Sequence, residues 1–141
     1  MALVSVLARI TKLGWFETTE HSDVPKEVTQ FLTASVDHCV IGLQIFNELI
    51  QEMNVNKTGQ PLSMHRKKSV SFRDRNLLQI FQISLQTLQQ LLSGSMGQIT
   101  PTQDTRLREQ CLKLVLSCLS CVFPSILSPP CSLFSAHWSK G

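Results

Sequence analysis

Between residues 36 and 53 the apolar positions are Val36, Cys39, Val40, Leu43, Phe46, Leu49, Ile50 and Met53. This is the three-and-four spacing that turns one face of an α-helix toward a core. The spacing recurs. Val24, Val28, Phe31, Leu32 and Ser35 share a face on a shorter stretch, with Ser22 or Asp23 placed to cap it and Pro25 in its first turn. The junction at residues 35–37 is short, which predicts that these two helices pack antiparallel. A third helix is expected over residues 74–92, its buried stripe formed by Leu77, Leu78, Phe81, Ser84, Leu85, Leu88, Leu91 and Leu92 and its outer face rich in Gln. A fourth is expected over residues 103–122. It carries Leu107, Cys111, Leu114, Val115, Cys118 and Val122 on one side and Leu112, Leu116 and Leu119 on the other, so it expects neighbours on both. Leucine in strand-like alternation is absent.

The connecting segments read as punctuation. Leu3 to Leu13 forms the last turns of a helix, and Gly14 is placed to end it in the left-handed conformation, with Trp15 folding back. A loop then runs to His21. Residues 54–68 are polar, contain Gly59 and Pro61, and read as a second loop; Ser71 and Asp74 have the spacing of a capping box. Residues 93–102 form a break holding glycines and Pro101. Past Phe123, Pro124, Pro129 and Pro130 forbid a continuing helix. The expectation is an all-α chain: an α-solenoid of antiparallel helix pairs over residues 1–122, followed by an irregular tail over 123–141. The periodicity fits a four-helix bundle equally well.

Composition agrees. A chain of 141 residues allows one domain with a modest core, and 43% hydrophobic residues with seven Phe, two Trp and no Tyr suit helices better than a sandwich or barrel. A net charge of +3 is too small to argue for direct nucleic-acid binding. The N-terminal apolar run is interrupted by Arg9 and Lys12 and lacks a small-residue cleavage site, unlike a secretory signal. Five cysteines, most of them late in the chain, fit reduced thiols better than a disulfide framework.

Candidate chemistry is sparse. Cys118 and Cys121 form a C-x-x-C that, with Cys131 and His137, could supply four zinc ligands, but they sit at a helix end at a spacing typical of no compact finger; the reading is core or tail cysteines, with no cofactor and no metal expected. Residues 114–139 lack Asp, Glu, Lys and Arg, yet their prolines break the helix that a membrane span needs, so no insertion is expected. Asp37–His38 and Glu17, Glu20 and His21 are the acid–histidine neighbours, and they read as surface or capping pairs because no nucleophile elbow or phosphate loop accompanies them. The basic cluster His65, Arg66, Lys67 and Lys68, extended by Arg73 and Arg75, reads as a solvated loop, a contact for an acidic partner, a nuclear-localisation-like patch, or a phosphorylation site at Ser69 or Ser71.

Residues 9–16 (Arg-Ile-Thr-Lys-Leu-Gly-Trp-Phe) and 65–74 (His-Arg-Lys-Lys-Ser-Val-Ser-Phe-Arg-Asp), with the helix pair 23–54 between them, resemble in order and spacing the N-terminal third of the exportin seven and Ran-binding protein sixteen/seventeen family. Residues 36–42 resemble the start of that family's B-helix, 48–54 its end, and 111–119 the closing helix of the next repeat; the resemblance covers residues 6–119. These are nuclear transport receptors of the importin-β superfamily, built from stacked HEAT repeats. The resemblance implies a non-enzymatic protein. Its partners would be the small GTPase Ran in its GTP form and protein cargo, with nuclear pore proteins as further partners, and it would work in cytoplasm and nucleus, including the pore. Within the basic cluster, His65, Arg66, Lys67, Lys68 and Arg73 are the candidate partner-binding residues. The family carries further repeats before Arg9 and after Leu119, and residues 121–141 resemble nothing in it. The alternative expectation is a remnant or isoform without Ran binding, acting at most as a helical interaction module.

Overall fold

The computed structural model describes residues 2–55, 61–94 and 97–122. They form α1 (Ala2–Leu13), α2 (Thr19–Ser22), α3 (Val24–Phe31), α4 (Val36–Asn54), α5 (Leu62–Phe72), one π-helical turn (Arg73–Leu77), α6 (Leu78–Ser93) and α7 (Pro101–Val122). No strand occurs among the described residues. The predicted all-α class holds, and the expected tail over 123–141 lies outside the described residues.

Hydrogen bonds between helices fix the architecture. Ser5 Oγ donates to Glu48 Oε1 (2.8 Å), and one helical stretch later Lys12 Nζ donates to the carbonyls of Glu52 (2.7 Å) and Val55 (2.8 Å). Moving forward along α1 therefore moves forward along α4, so the two run parallel. Gln103 Nε2 donates to Asp37 Oδ1, Asn47 Nδ2 to Gln110 Oε1, and Asn54 Nδ2 to Cys121 Sγ, which gives α4 and α7 the same parallel register. α1 and α7 pack chiefly on α4, and α3 and α6 pack on the helix that follows each of them. Neighbours in an up-and-down four-helix bundle run antiparallel. A row of parallel helices, α4 and α7 each following its own hairpin partner, is a stack of helix pairs, so the solenoid stands and the bundle alternative falls.

The core lies along that row. Leu43, Phe46, Leu49, Ile50 and Met53 of α4 are buried with Leu107, Cys111 and Leu114 of α7, Val4 and Ala8 of α1, and Phe72, Leu77 and Ile80 from the helix between. The caps are local. The Ser35 hydroxyl accepts the His38 N–H at the start of α4 (3.1 Å). Thr100 and Gln103 form a reciprocal capping box around Pro101, each side chain bonding the other's backbone N–H (3.1 and 3.0 Å), so α7 begins at Pro101 and not at Gln103. Gly94, at φ 76°, ends α6 in the left-handed conformation.

Other expectations need correction. Residues 62–72 are helical, not loop, and continue through the π turn into α6, so the third helix begins twelve residues earlier than expected, at Leu62 instead of residue 74. The Ser71/Asp74 pair is no cap because it lies inside this helix. The buried stripe of the π turn and α6 is Leu77, Ile80, Ser84, Thr87 and Leu91, while Leu78, Leu85 and Leu92 face outward. Residues 19–22 form a helical turn inside the expected loop. Gly14 does not have positive φ. Its lack of a side chain matters for space, since a Cβ there would lie 2.6 Å from the His21 ring.

Candidate functional site

The basic cluster sits where the C-terminal ends of α1 and α4 meet the start of α5, and the fold divides it in two. Inward, Lys68 is buried and its Nζ donates to the Leu13 carbonyl (3.1 Å), which caps the end of α1. Burial pulls its pKa down, opposed by the nearby Glu17 carboxylate. His65 is half-buried with its Nδ1 2.9 Å from Lys12 Nζ. An ammonium can only donate, so this nitrogen is an acceptor and the ring is neutral. Burial, then the charges of Lys12, Arg73 and Arg66, lower its pKa below the ordinary histidine value.

Lys12 was missed as a functional residue, although a lysine in the last turn of a helix was a usable signal. Only 1% of it is exposed, and its ammonium ties the end of α4 to α1 and to His65. Trp15, just past α1, is buried beside it. The indole Nε1 donates to Ser71 Oγ (2.9 Å), the ring packs edge-on against Phe72 (5.8 Å), and the Arg75 guanidinium lies 5.8 Å from the ring centre. The Ser71 hydroxyl is thus engaged, and Ser69 is buried and accepts from Arg73 Nη2 (2.8 Å). Neither serine presents itself as a phosphorylation site in this fold.

Outward, Arg66 and Lys67 are exposed and, with Phe16, Val70, Ser63 and Ser71, border an open depression of about 570 Å³. Arg73 is exposed farther along, beside a separate apolar groove of about 470 Å³ with Leu77, Leu78, Phe81 and Leu119. Of the five predicted partner-binding residues, then, Arg66, Lys67 and Arg73 face solvent, whereas His65 and Lys68 hold the helix ends together.

The remaining candidates are structural where described. Cys118 is buried and its thiol is pushed up to about 12 by burial and then by Cys121, the opposite of an activated thiol. Cys131 and His137 lie outside the described residues. Among the described residues no group of three His, Cys, Asp or Glu is arranged to hold a metal, and no helix is long and apolar enough to cross a membrane. His38 Nδ1 pairs with Ser35 Oγ (2.6 Å) and His21 Nδ1 with Thr18 Oγ1 (2.7 Å), so both histidines support helix starts.

No family model matches this chain, and no solved structure matches it. Curated proteins do. Ran-binding protein 17 of Mus musculus is 42% identical over 123 residues, covering 84% of this chain and 11% of the relative. Exportin-7-A of Xenopus laevis is 41% identical over 123 residues, and Ran-binding protein 16 of Drosophila melanogaster 37% identical over 127, again covering 84% of this chain. The chain is a homologue of the exportin-7 and Ran-binding protein 16/17 family. It spans 11–12% of the length of these relatives.

Proposed function

We propose that the chain is a non-enzymatic binding module of nucleocytoplasmic transport that engages Ran in its GTP form and protein cargo, working between cytoplasm and nucleus. The observation that carries this reading is the homology over 84% of the chain to proteins named for exportin activity and Ran binding. The stacked helix pairs are the architecture such binding modules use, and Arg66, Lys67 and Arg73 are exposed on this one. Such a module acts by differential affinity for two states of its partner and makes or breaks no covalent bond.

The test is binding of the folded 141-residue chain to Ran loaded with GTP and, separately, with GDP. Preference for the GTP form, weakened by the triple change Arg66→Glu, Lys67→Glu and Arg73→Glu, supports the reading. A folded chain that binds neither form overturns it and leaves the second reading, a helical interaction module without Ran binding. The outward apolar residues Leu112 and Leu116, 52% and 56% exposed on α7, favour that second reading because they mark a face built to meet another protein surface.

A further inference from the structure

Where α4 meets α7, one face of α4 carries a row of carboxamides. Gln44, Asn47 and Gln51 follow at intervals of three and four residues, so they share a face along about 10 Å at 1.5 Å per residue. With Glu48, Gln110 and Lys113 they border a cleft of about 130 Å³. Its walls, α4 and α7, already pack on each other, so the cleft is set within the stack and not by either end of it.

Asn47 is the centre of the row and only 6% exposed. Its Nδ2 donates to Gln110 Oε1 (2.8 Å), with the Leu43 and Gln110 carbonyls farther off at 3.3 and 3.4 Å. Two amides are thereby joined through one bond. Asn47 Oδ1 is left as an acceptor and Gln110 Nε2 as a donor, and neither has a hydrogen-bond partner among the described residues. An amide oxygen on a side chain buried this deeply is normally bonded, so a donor has to come through the cleft.

A peptide main chain supplies the matching pair. In an extended segment the N–H and C=O of one residue point to the same side, which is how paired strands exchange two bonds. The N–H suits Asn47 Oδ1 and the C=O suits Gln110 Nε2. A volume of about 130 Å³ is the liquid share of about four waters, which admits a peptide unit with a small side chain and excludes a large one. Charge points the same way. The Glu48 carboxylate is engaged by Ser5 Oγ (2.8 Å), and Lys113 brings the opposite sign to the same cleft, so an uncharged occupant is favoured over an anion or a cation.

We propose that the α4–α7 cleft binds an extended segment of a partner protein through its main chain, one residue donating to Asn47 Oδ1 and accepting from Gln110 Nε2, with Gln44 and Gln51 bonding the residues on either side. This rests on the reading of the chain as a protein-binding module and gives it a site that does not use Arg66, Lys67 or Arg73.

The probe is an acetylated and amidated octapeptide of alternating alanine and serine, titrated into the ¹⁵N-labelled full chain beside the same peptide N-methylated at every residue. The parent peptide should move the side-chain amide signals of Asn47 and Gln110 saturably, and added salt should leave the affinity unchanged. The methylated peptide, with no N–H to give, should bind about tenfold or more weakly. Gln110→Glu keeps an oxygen for Asn47 Nδ2 and turns the donor into an acceptor, so it should weaken the parent peptide about tenfold or more at an unchanged Tm. Amide signals that do not move show a cleft that holds only water and overturn the proposal. Equal binding of the two peptides, or full binding by Gln110→Glu, overturns it too; if that variant unfolds, the peptide pair on the parent chain decides. No arm contains Ran, so failure here and failure of Ran binding are read separately.

Discussion

Replacing Lys12 by Met would test whether one buried ammonium holds the stack together. The change keeps most of the apolar stem and removes the donor that reaches the Glu52 and Val55 carbonyls and His65 Nδ1 at 2.7–2.9 Å. A buried acceptor stripped of its donor costs about 1–3 kcal/mol. Glu52 is in that position. Val55, 46% exposed, can take water instead. Losing a cation at two helix C-termini costs about 0.3–1 kcal/mol each. Relief of the buried charge works the other way, but breaking a buried charged contact from one side is usually a net loss. The sum is about 2–4 kcal/mol. At about 3 °C per kcal/mol for a chain of this length, Tm should fall by about 6–12 °C, read by circular dichroism at 222 nm and checked by urea unfolding. In the same variant the His65 pKa, followed by NMR, should rise, since Lys12 is one of the charges that hold it down. A variant as stable as the parent, or more so, would refute the reasoning by showing that desolvation outweighs the hydrogen bonds.

Gly14→Ala should cost about 1–3 kcal/mol, because its Cβ meets the His21 ring at 2.6 Å; adding His21→Ala should restore most of that in a thermal melt. Stability should also fall with acid. His65 titrates lower in the folded chain than in the unfolded one, so its contribution is complete above about pH 6.5 and is lost as pH falls through the folded value. Comparing Tm at pH 7.5 and 5.5 should show a drop that His65→Gln reduces. Cys111 and Cys118, both pushed up to about 12, should resist iodoacetamide at pH 8 in the folded chain and react in denaturant, as read by peptide mass spectrometry.

The sequence was most readable where apolar periodicity and burial coincide. The α4 stripe from Cys39 to Met53 and the α7 stripe Leu107, Cys111, Leu114 and Cys118 are buried as expected. α5 was misread because its inward face is polar: Lys68 and Ser69 are buried there for hydrogen bonds, and only Phe72 marks the phase. Ser71 looked like a cap but serves the indole of Trp15, a partner 56 residues away. In α6, leucines occur on both faces, and burial of Ser84 and Thr87 sets the phase against Leu78, Leu85 and Leu92. Small polar residues at a close helix contact leave no hydrophobic signature. The candidate site was half readable for the same reason: a run of cations in sequence does not say which of them a helix turns inward.

The parallel register of α1, α4 and α7 carries a geometric consequence. Ser5 of α1 meets Glu48 of α4, and Asn47 of α4 meets Gln110 of α7, so α4 is held at one level by a parallel neighbour on each side. Parallel, head-to-tail placement of neighbours has no closing member, unlike the two-fold that ends a dimer. A further helix pair added to such a row would extend it in parallel and would not close it.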